Sequence, residues 1–310
     1  MNAAGRLALV TGATGYVGVH VVRALLADDW TVGIVARTTS ATGTLGPAAK
    51  HVAIHRDSGD DAALAGFVRD FGPDVVVHLA ALYTANPAES DRPALEAANI
   101  AFPRRLGAAL AGCGARGIVA AASHLQMRVD STNPLPGPHG LYAETKQAGE
   151  DALATLAAEY GMSFTTLVLF DTFGPCDSRR KLFDQLAEAA ARGETLAMSP
   201  GDQRLDLVWI EDAAAAFLLA AERAAAGTAA LRERFAVGAD ERPTLREIVD
   251  RWRAAGGQTP RIAWGAMPYR AHQPIVPWQG PPLPGWRPGV GLDEGLRRLV
   301  TARRAAGRDG

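Results

Sequence analysis

The chain has 310 residues, 48% of them hydrophobic, and a net charge of −1. That is enough apolar material for one large α/β domain, or a main domain with a smaller lobe. The balanced charge gives no basis for a nucleic-acid or anionic-membrane partner, and no apolar run is long enough to span a bilayer.

In chain order, apolar runs at 7–10, 32–35, 52–55, 75–79, 118–121 and 165–170 alternate with helical patterns at 16–27, 61–71, 92–112 and 142–160. The first run leads straight into a glycine turn, so it reads as a strand and not as a signal peptide. In the first helix Val17, Val21 and Leu25 form a stripe at helical spacing. Such alternation predicts a doubly wound parallel Rossmann sheet with helices on both faces. Pro103 should kink the fourth helical pattern or begin its regular part. After residue 170 the alternation weakens. Helices are expected at 181–193, 211–225, 244–255 and 293–305, and short strands at 205–210 and near 234–238. Residues 256–292, rich in Pro, Gly and Trp, read as irregular but ordered. The division expected is a nucleotide-binding domain of 1–173 plus 206–237, and a substrate lobe of 174–205 and 238–310. Cys113 and Cys176 lie far apart and fit no metal spacing, which points to a reducing, cytoplasmic setting.

Gly12, Gly15 and Gly18 follow the first strand and open the first helix. A glycine turn there lets the backbone approach a pyrophosphate at the helix N-terminus. At the end of the second strand a carboxylate would hold the ribose of NAD. Ala36 stands at that place and Arg37 follows, which favours NADP(H) while leaving NAD(H) possible. Tyr142 and Lys146 are four residues apart, so they share one helix face. Lys occurs only at positions 50, 146 and 181, which sets Lys146 apart in a chain that otherwise writes Arg.

From about Leu7 to Leu299 the chain resembles the extended short-chain dehydrogenase/reductase superfamily of epimerase/dehydratase type. "TGATGYVG", "HRDSGD", "VVVHLAA", "AANI", "IVAAAS", "YAETK" and "LFDTFGP" carry the likeness. The resemblance implies that Gly12, Thr14, Gly15, Tyr16, Val17, Asp57, Ser58, Leu79, Ala80, Ala81, Asn99, Tyr142, Lys146 and Phe170 contact the cofactor, with Arg37 beside them. It implies that Ser123, Tyr142 and Lys146 are catalytic. It places Tyr83, Ser123, His124, Asp171, Lys181, Arg204 and Arg270 at the substrate. "SPGDQRLDLVWIEDAAAAF", "MPYR" and "LPGWRPGVGLDEGLRR" are similar to reductases of NDP-4-keto-6-deoxysugars, of the abequose-synthase kind. Helices 92–112 and 142–160 resemble those that pair in family homodimers.

In such a set the Lys146 ammonium should lower the Tyr142 pKa from its ordinary value near 10. Ser123 should hold the substrate carbonyl while Tyr142 gives it a proton. Dehydratases of this superfamily carry an Asp-Glu pair just after the serine position. This chain has His124, Leu125 and Gln126 there, so elimination lacks its acid and base. The reaction expected is therefore NADPH-dependent reduction of the C4 ketone of a nucleotide-linked 4-keto-6-deoxyhexose. The alternatives are a 4-epimerase with retained NAD, a reductase of another ketone or aldehyde, and a non-catalytic NADP-binding protein. Arg204 sits one residue off the family's usual Arg-Asp register, Asp171 replaces its usual Asn, and Arg179, Arg180 and Lys181 form an alternative basic cluster. Phe183 and Trp209 either flank the base or belong to the core.

Overall fold

The computed structural model describes residues 6–84, 86–127, 140–269 and 274–307. Its first half runs β1 (Leu7–Thr11), α1 (Tyr16–Ala27), β2 (Thr31–Arg37), a kinked 3-10 segment Thr42–His51, β3 (Val52–Asp57), α2 (Asp61–Phe71) and β4 (Val75–His78). Then come α3 (Arg92–Glu96), a π turn (Ala97–Ala101), α4 (Phe102–Leu110), β5 (Gly117–Ser123), α5 (Leu141–Glu159) and β6 (Ser163–Leu169). The remainder comprises β7 (Asp171–Phe173), α6 (Leu182–Ala191), β8 (Thr195–Met198), β9 (Leu207–Trp209), α7 (Ile210–Ala225), β10 (Glu233–Val237), α8 (Leu245–Ala254), β11 (Arg261–Trp264) and α9 (Leu292–Ala305).

Seven strands form one sheet in the order β10-β6-β5-β4-β1-β2-β3, every pairing parallel. The order reverses between β1 and β4, and ligands of open α/β sheets bind at such a switch point. Strands buried on both faces read as continuous apolar runs, which is why the inner strands were visible in the sequence. On one face Val10, Ile34 and Val77 pack against Val22 and Leu25 of α1 and Phe217 of α7. On the other, Leu9, Val76 and Ile118 pack against Leu64 of α2, Leu106 of α4 and Leu153 of α5.

The predicted single helix at 92–112 is three segments. Pro103 has no amide hydrogen to donate, so regular α-helix starts only at Phe102, after the π turn. The π turn sits directly against α5: a Cβ on Gly149 would lie 1.8 Å from the Asn99 carbonyl oxygen, so only glycine fits. Two small parallel sheets, β7 with β9 and β8 with β11, were only partly foreseen. With α6, α8 and α9 they enclose a third core of Phe173, Phe183, Trp209, Ile248, Trp252 and Leu296. Phe183 and Trp209 are thus core residues, 5% and 4% exposed.

Candidate active site

The β1–α1 turn is the first wall of a cleft of about 710 Å3. Gly12 has φ +70°, and a Cβ there would lie 2.6 Å from the Ala80 amide nitrogen, so the turn crosses the end of β4 at backbone distance. Gly15 caps α1 without any side-chain partner, and the first turn carries no acidic residue. The helix start therefore offers unfilled N–H groups and a positive dipole end to an anion. A dinucleotide pyrophosphate fits this cradle. Gly12, Gly15, Tyr16, Val17, Leu79 and Ala81 line the cleft, as do Phe170, Tyr142 and Lys146.

Other predicted cofactor contacts lie outside the cleft wall. Thr14 is on the turn, with its carbonyl facing the Thr44 hydroxyl at 3.4 Å. Ala80 donates its N–H to Thr11 Oγ1 at 3.3 Å. Arg37 is exposed at the end of β2, its carbonyl accepting from Arg56 at 3.3 Å. Ser58 is exposed. Asp57 is occupied by Arg105 at 3.0 and 3.2 Å and by the Gly59 N–H at 3.1 Å. Burial works against its charge, but Arg105 and Gly59 outweigh it and hold the carboxyl below the ordinary range. Asn99 is buried and acts through hydrogen bonds: Oδ1 accepts from Leu82 N at 2.8 Å, and Nδ2 donates to Leu82 O at 3.0 Å and Thr145 Oγ1 at 3.2 Å. It thereby ties the loop after β4 to α5, between Tyr142 and Lys146.

At the carboxyl end of β5, Ser123 meets the start of α5. The Ser123 Oγ accepts from the Leu125 N–H at 3.2 Å, which leaves its own proton free to donate. Ser123 and Tyr142 both line the cleft, with the serine side chain near enough to the Tyr142 hydroxyl to influence it, and the Tyr142 ring meets Tyr83 edge-on at 5.0 Å. Burial and then Tyr83 push the Tyr142 hydroxyl up to about 12, with only the nearby Ser123 side chain pulling it down. The lowering by Lys146 expected from the sequence does not occur here. Lys146 is itself buried, and burial pushes its ammonium down to about 8 against the pull of Glu150. At neutral pH the site therefore holds a protonated phenol and a charged lysine.

The opposite wall is polar and largely self-paired. Lys181 bonds Asp171 at 3.1 Å. Burial opposes the Asp171 charge, but Lys181, His124 and Arg179 hold the carboxyl below the ordinary range. His124 stacks on Phe170 at 5.5 Å, and burial lowers its pKa, so its ring is neutral near pH 7. Arg179 is clamped by Asp177 at 2.6 Å and lies over the Tyr16 ring at 4.4 Å, while Arg180 pairs with Glu188 away from the cleft. The alternative basic cluster is thus split among three carboxylates. Arg204 lines the cleft and donates to the Arg242 carbonyl at 2.9 Å. Arg270 lies outside the described residues. The sequence did not single out Leu205, Asp206, Pro274 or Pro277, which also line the cleft. Burial pushes the Asp206 carboxyl up to about 6, although Arg242 Nε is 2.8 Å away. Among the described residues no group of His, Cys, Asp or Glu forms a metal cluster, and no helix is long and apolar enough to cross a membrane.

Comparison with known proteins agrees with this architecture. CDP-abequose synthase of Yersinia pseudotuberculosis is 25% identical over 212 residues, 68% of this chain and 71% of that protein. UDP-glucose 4-epimerase of Mycolicibacterium smegmatis is 26% identical over 307 residues, covering 94% and 96% of the two chains. The structure of Thermus thermophilus UDP-glucose 4-epimerase in complex with NAD superposes with a TM-score of 0.79 at 25% identity, covering 97% of this chain and 99% of that one. Residues 8–238 match the NAD dependent epimerase/dehydratase family, and the chain belongs to that family as an NAD(P)-dependent enzyme.

Proposed function

We propose that the protein reduces the C4 ketone of a nucleotide-linked 4-keto-6-deoxyhexose with NADPH. The observation that carries this reading is the combination at the end of β5. Ser123, Tyr142 and Lys146 line one cleft, and no carboxylate follows Ser123 in His124, Leu125 or Gln126. A phenol that keeps its proton at pH 7 is an acid in waiting, which suits reduction of a carbonyl. Abstraction of a proton from a sugar hydroxyl, the first need of an epimerase, asks for the phenolate instead.

The glycine turn would hold the cofactor's pyrophosphate, Lys146 and Tyr142 its ribose and nicotinamide end, and Arg37 the 2′-phosphate. When bound, the reduced cofactor supplies the hydride that the carbonyl carbon accepts. Ser123 donates a hydrogen bond to the ketone oxygen and keeps it against Tyr142. Tyr142 gives that oxygen its proton, and the Ser123 hydroxyl, which alone lowers the Tyr142 pKa here, eases the transfer. Solvent then returns the proton to Tyr142. Lys181 and Arg204 are the cleft's cations for a substrate diphosphate. The lack of an acidic residue at the end of β2, where Ala36 precedes Arg37, supports NADPH as the reductant, and a homodimer through α4 and α5 accords with the family resemblance.

A second reading, 4-epimerisation with retained NAD, is favoured by the likeness to UDP-glucose 4-epimerase along almost the whole chain. One experiment separates the two. The purified protein is incubated with NADPH and a panel of NDP-4-keto-6-deoxysugars, with absorbance loss and product NMR as readouts. Stoichiometric NADPH oxidation is expected. No oxidation with any sugar, together with interconversion of a UDP-hexose and its C4 epimer, would replace reduction by epimerisation.

A further inference from the structure

Behind Ser123 runs a chain of buried polar groups that takes no part in the reaction as described. The Gln126 side chain is fully buried. Its Oε1 accepts from the Ser123 N–H at 2.9 Å, and its Nε2 donates to Glu150 Oε2 at 2.9 Å and Gln147 Oε1 at 3.0 Å. Only one amide orientation satisfies an N–H on one side and two oxygens on the other, so the side chain cannot flip without loss. Glu150 is 5% exposed and lies one helical turn beyond Lys146. Its other oxygen accepts from Thr166 Oγ1 at 2.9 Å and from the Arg234 guanidinium on β10. A buried carboxylate is stable only when paired and fully hydrogen-bonded, and here each oxygen has its donors. The path leads from the sheet's edge strand to the backbone of Ser123, and neither Gln126, Glu150 nor Arg234 lines the cleft.

We propose that Gln126, Glu150 and Arg234 are positioning residues that together fix Ser123 relative to Tyr142 and Lys146. The inference rests on reading those three as the reacting set. Fixing the Ser123 peptide sets where its hydroxyl points, because the same residue accepts from Leu125 N–H on its Oγ and gives its N–H to Gln126. Carbonyl activation depends on donor placement at the level of an ångström. Gln126 alone could be packing, but an amide is an expensive filler in a fully buried place unless its bonds are used. Glu150 and Arg234 make that use rigid.

The test combines a rate with a readout independent of turnover. Gln126→Met keeps the volume and removes the amide. It should lower kcat on the order of 10²-fold, as an ångström of misplacement does, while the NADPH Kd stays unchanged. Arg234→Met touches neither Ser123 nor Tyr142, yet it should also lower kcat, and Arg234→Lys should restore most of it. In a double-mutant cycle the two losses should not multiply, because both break one chain. Hydrogen exchange at the Ser123 amide should speed up in both Met variants. Arg253→Ala, at an exposed ion pair with Asp250 on α8 and outside this chain of bonds, is the control and should leave rate and exchange as in the parent. Unchanged Ser123 exchange in folded Gln126→Met protein would overturn the proposal, as would losses that multiply. If instead Tyr142→Phe turned over like the parent, the reaction reading would fall, and the exchange data would still decide whether the chain holds Ser123.

Discussion

The two walls of the cleft are built on different principles. On the wall formed by β5 and α5, polar groups are buried and aimed. Ser123 and Tyr142 face the same cleft, and among the described residues Lys146 has no ion-pair partner in contact. On the wall formed by β7 and the segments after it, charges are paired with each other. Lys181 is spent on Asp171, Arg179 on Asp177, and Asp206 on Arg242. The first wall is prepared for a reaction before any ligand arrives. The second offers an anion Arg204, whose side chain among the described residues bonds only a backbone carbonyl, and Lys181 once its pair with Asp171 opens. Tyr83 links the two, edge-on to Tyr142 and 5.8 Å from the Lys181 ammonium.

The sharpest break of the comparison is Tyr142→Phe. If the first wall does the chemistry, this change removes the proton donor and kcat should fall by about 10²- to 10⁴-fold. NADPH affinity, read by fluorescence titration, should change far less. Activity equal to the parent's would move the chemistry elsewhere in the cleft.

Next in size is Arg37→Ala, which tests the proposed cofactor contact at the end of β2, outside both walls. A charge-assisted hydrogen bond is worth about 1.5–3 kcal/mol, so NADPH binding should weaken by roughly 10- to 100-fold with NADH binding unaffected. Tighter NADH than NADPH binding in the parent, unmoved by the substitution, would return the cofactor assignment to NAD.

The pH dependence should separate chemistry from stability. Lys146 is charged below its folded value of about 8, so kcat/KM should decline as pH rises through that value, by about tenfold per unit well above it. Stability follows the opposite sign. The folded value lies below the ordinary 10.5, so between about 8 and 10.5 the unfolded chain binds the extra proton. The contribution of this group to stability therefore rises with pH over that window. Thermal melts recorded beside the rates should show no destabilisation attributable to Lys146 where activity is being lost. A parallel loss of both would assign the decline to unfolding.

What the sequence disclosed follows the same division. Helices 16–27 and 61–71 were legible to the residue, because an amphipathic stripe and a glycine or aspartate boundary act locally. Ser123, Tyr142 and Lys146 were legible because they sit on regular elements, where spacing fixes direction. Gln126 carried a readable sign too, since Ser123 and Gln126 form the S-x-x-Q pattern of a capping box. Glu150 and Arg234 carried none, being joined across 84 residues by the parallel sheet. The strands β7, β8 and β11 have three or four residues each and pair with distant segments, so no local period marks them. Asp171 and Lys181 were both placed at the substrate by resemblance, but that they neutralise each other depends on how the loop between them folds back.

That ion pair is where the smallest effect carries the most information about the second wall. The Asp171 and Lys181 side chains are 35% and 42% exposed, so their attraction is worth up to about 1 kcal/mol. Asp171→Asn keeps the shape, restores the amide usual in the family and frees the ammonium. If a substrate diphosphate docks on Lys181, KM should fall by as much as about fivefold with kcat little changed, and the gain should shrink as salt is raised. If KM rises instead, the Asp171 carboxylate is accepting a hydrogen bond from a sugar hydroxyl. The diphosphate would then have to be held by Arg204 and by residues beyond the pair. The sign of the change, more than its size, tells which of the two charges the substrate meets.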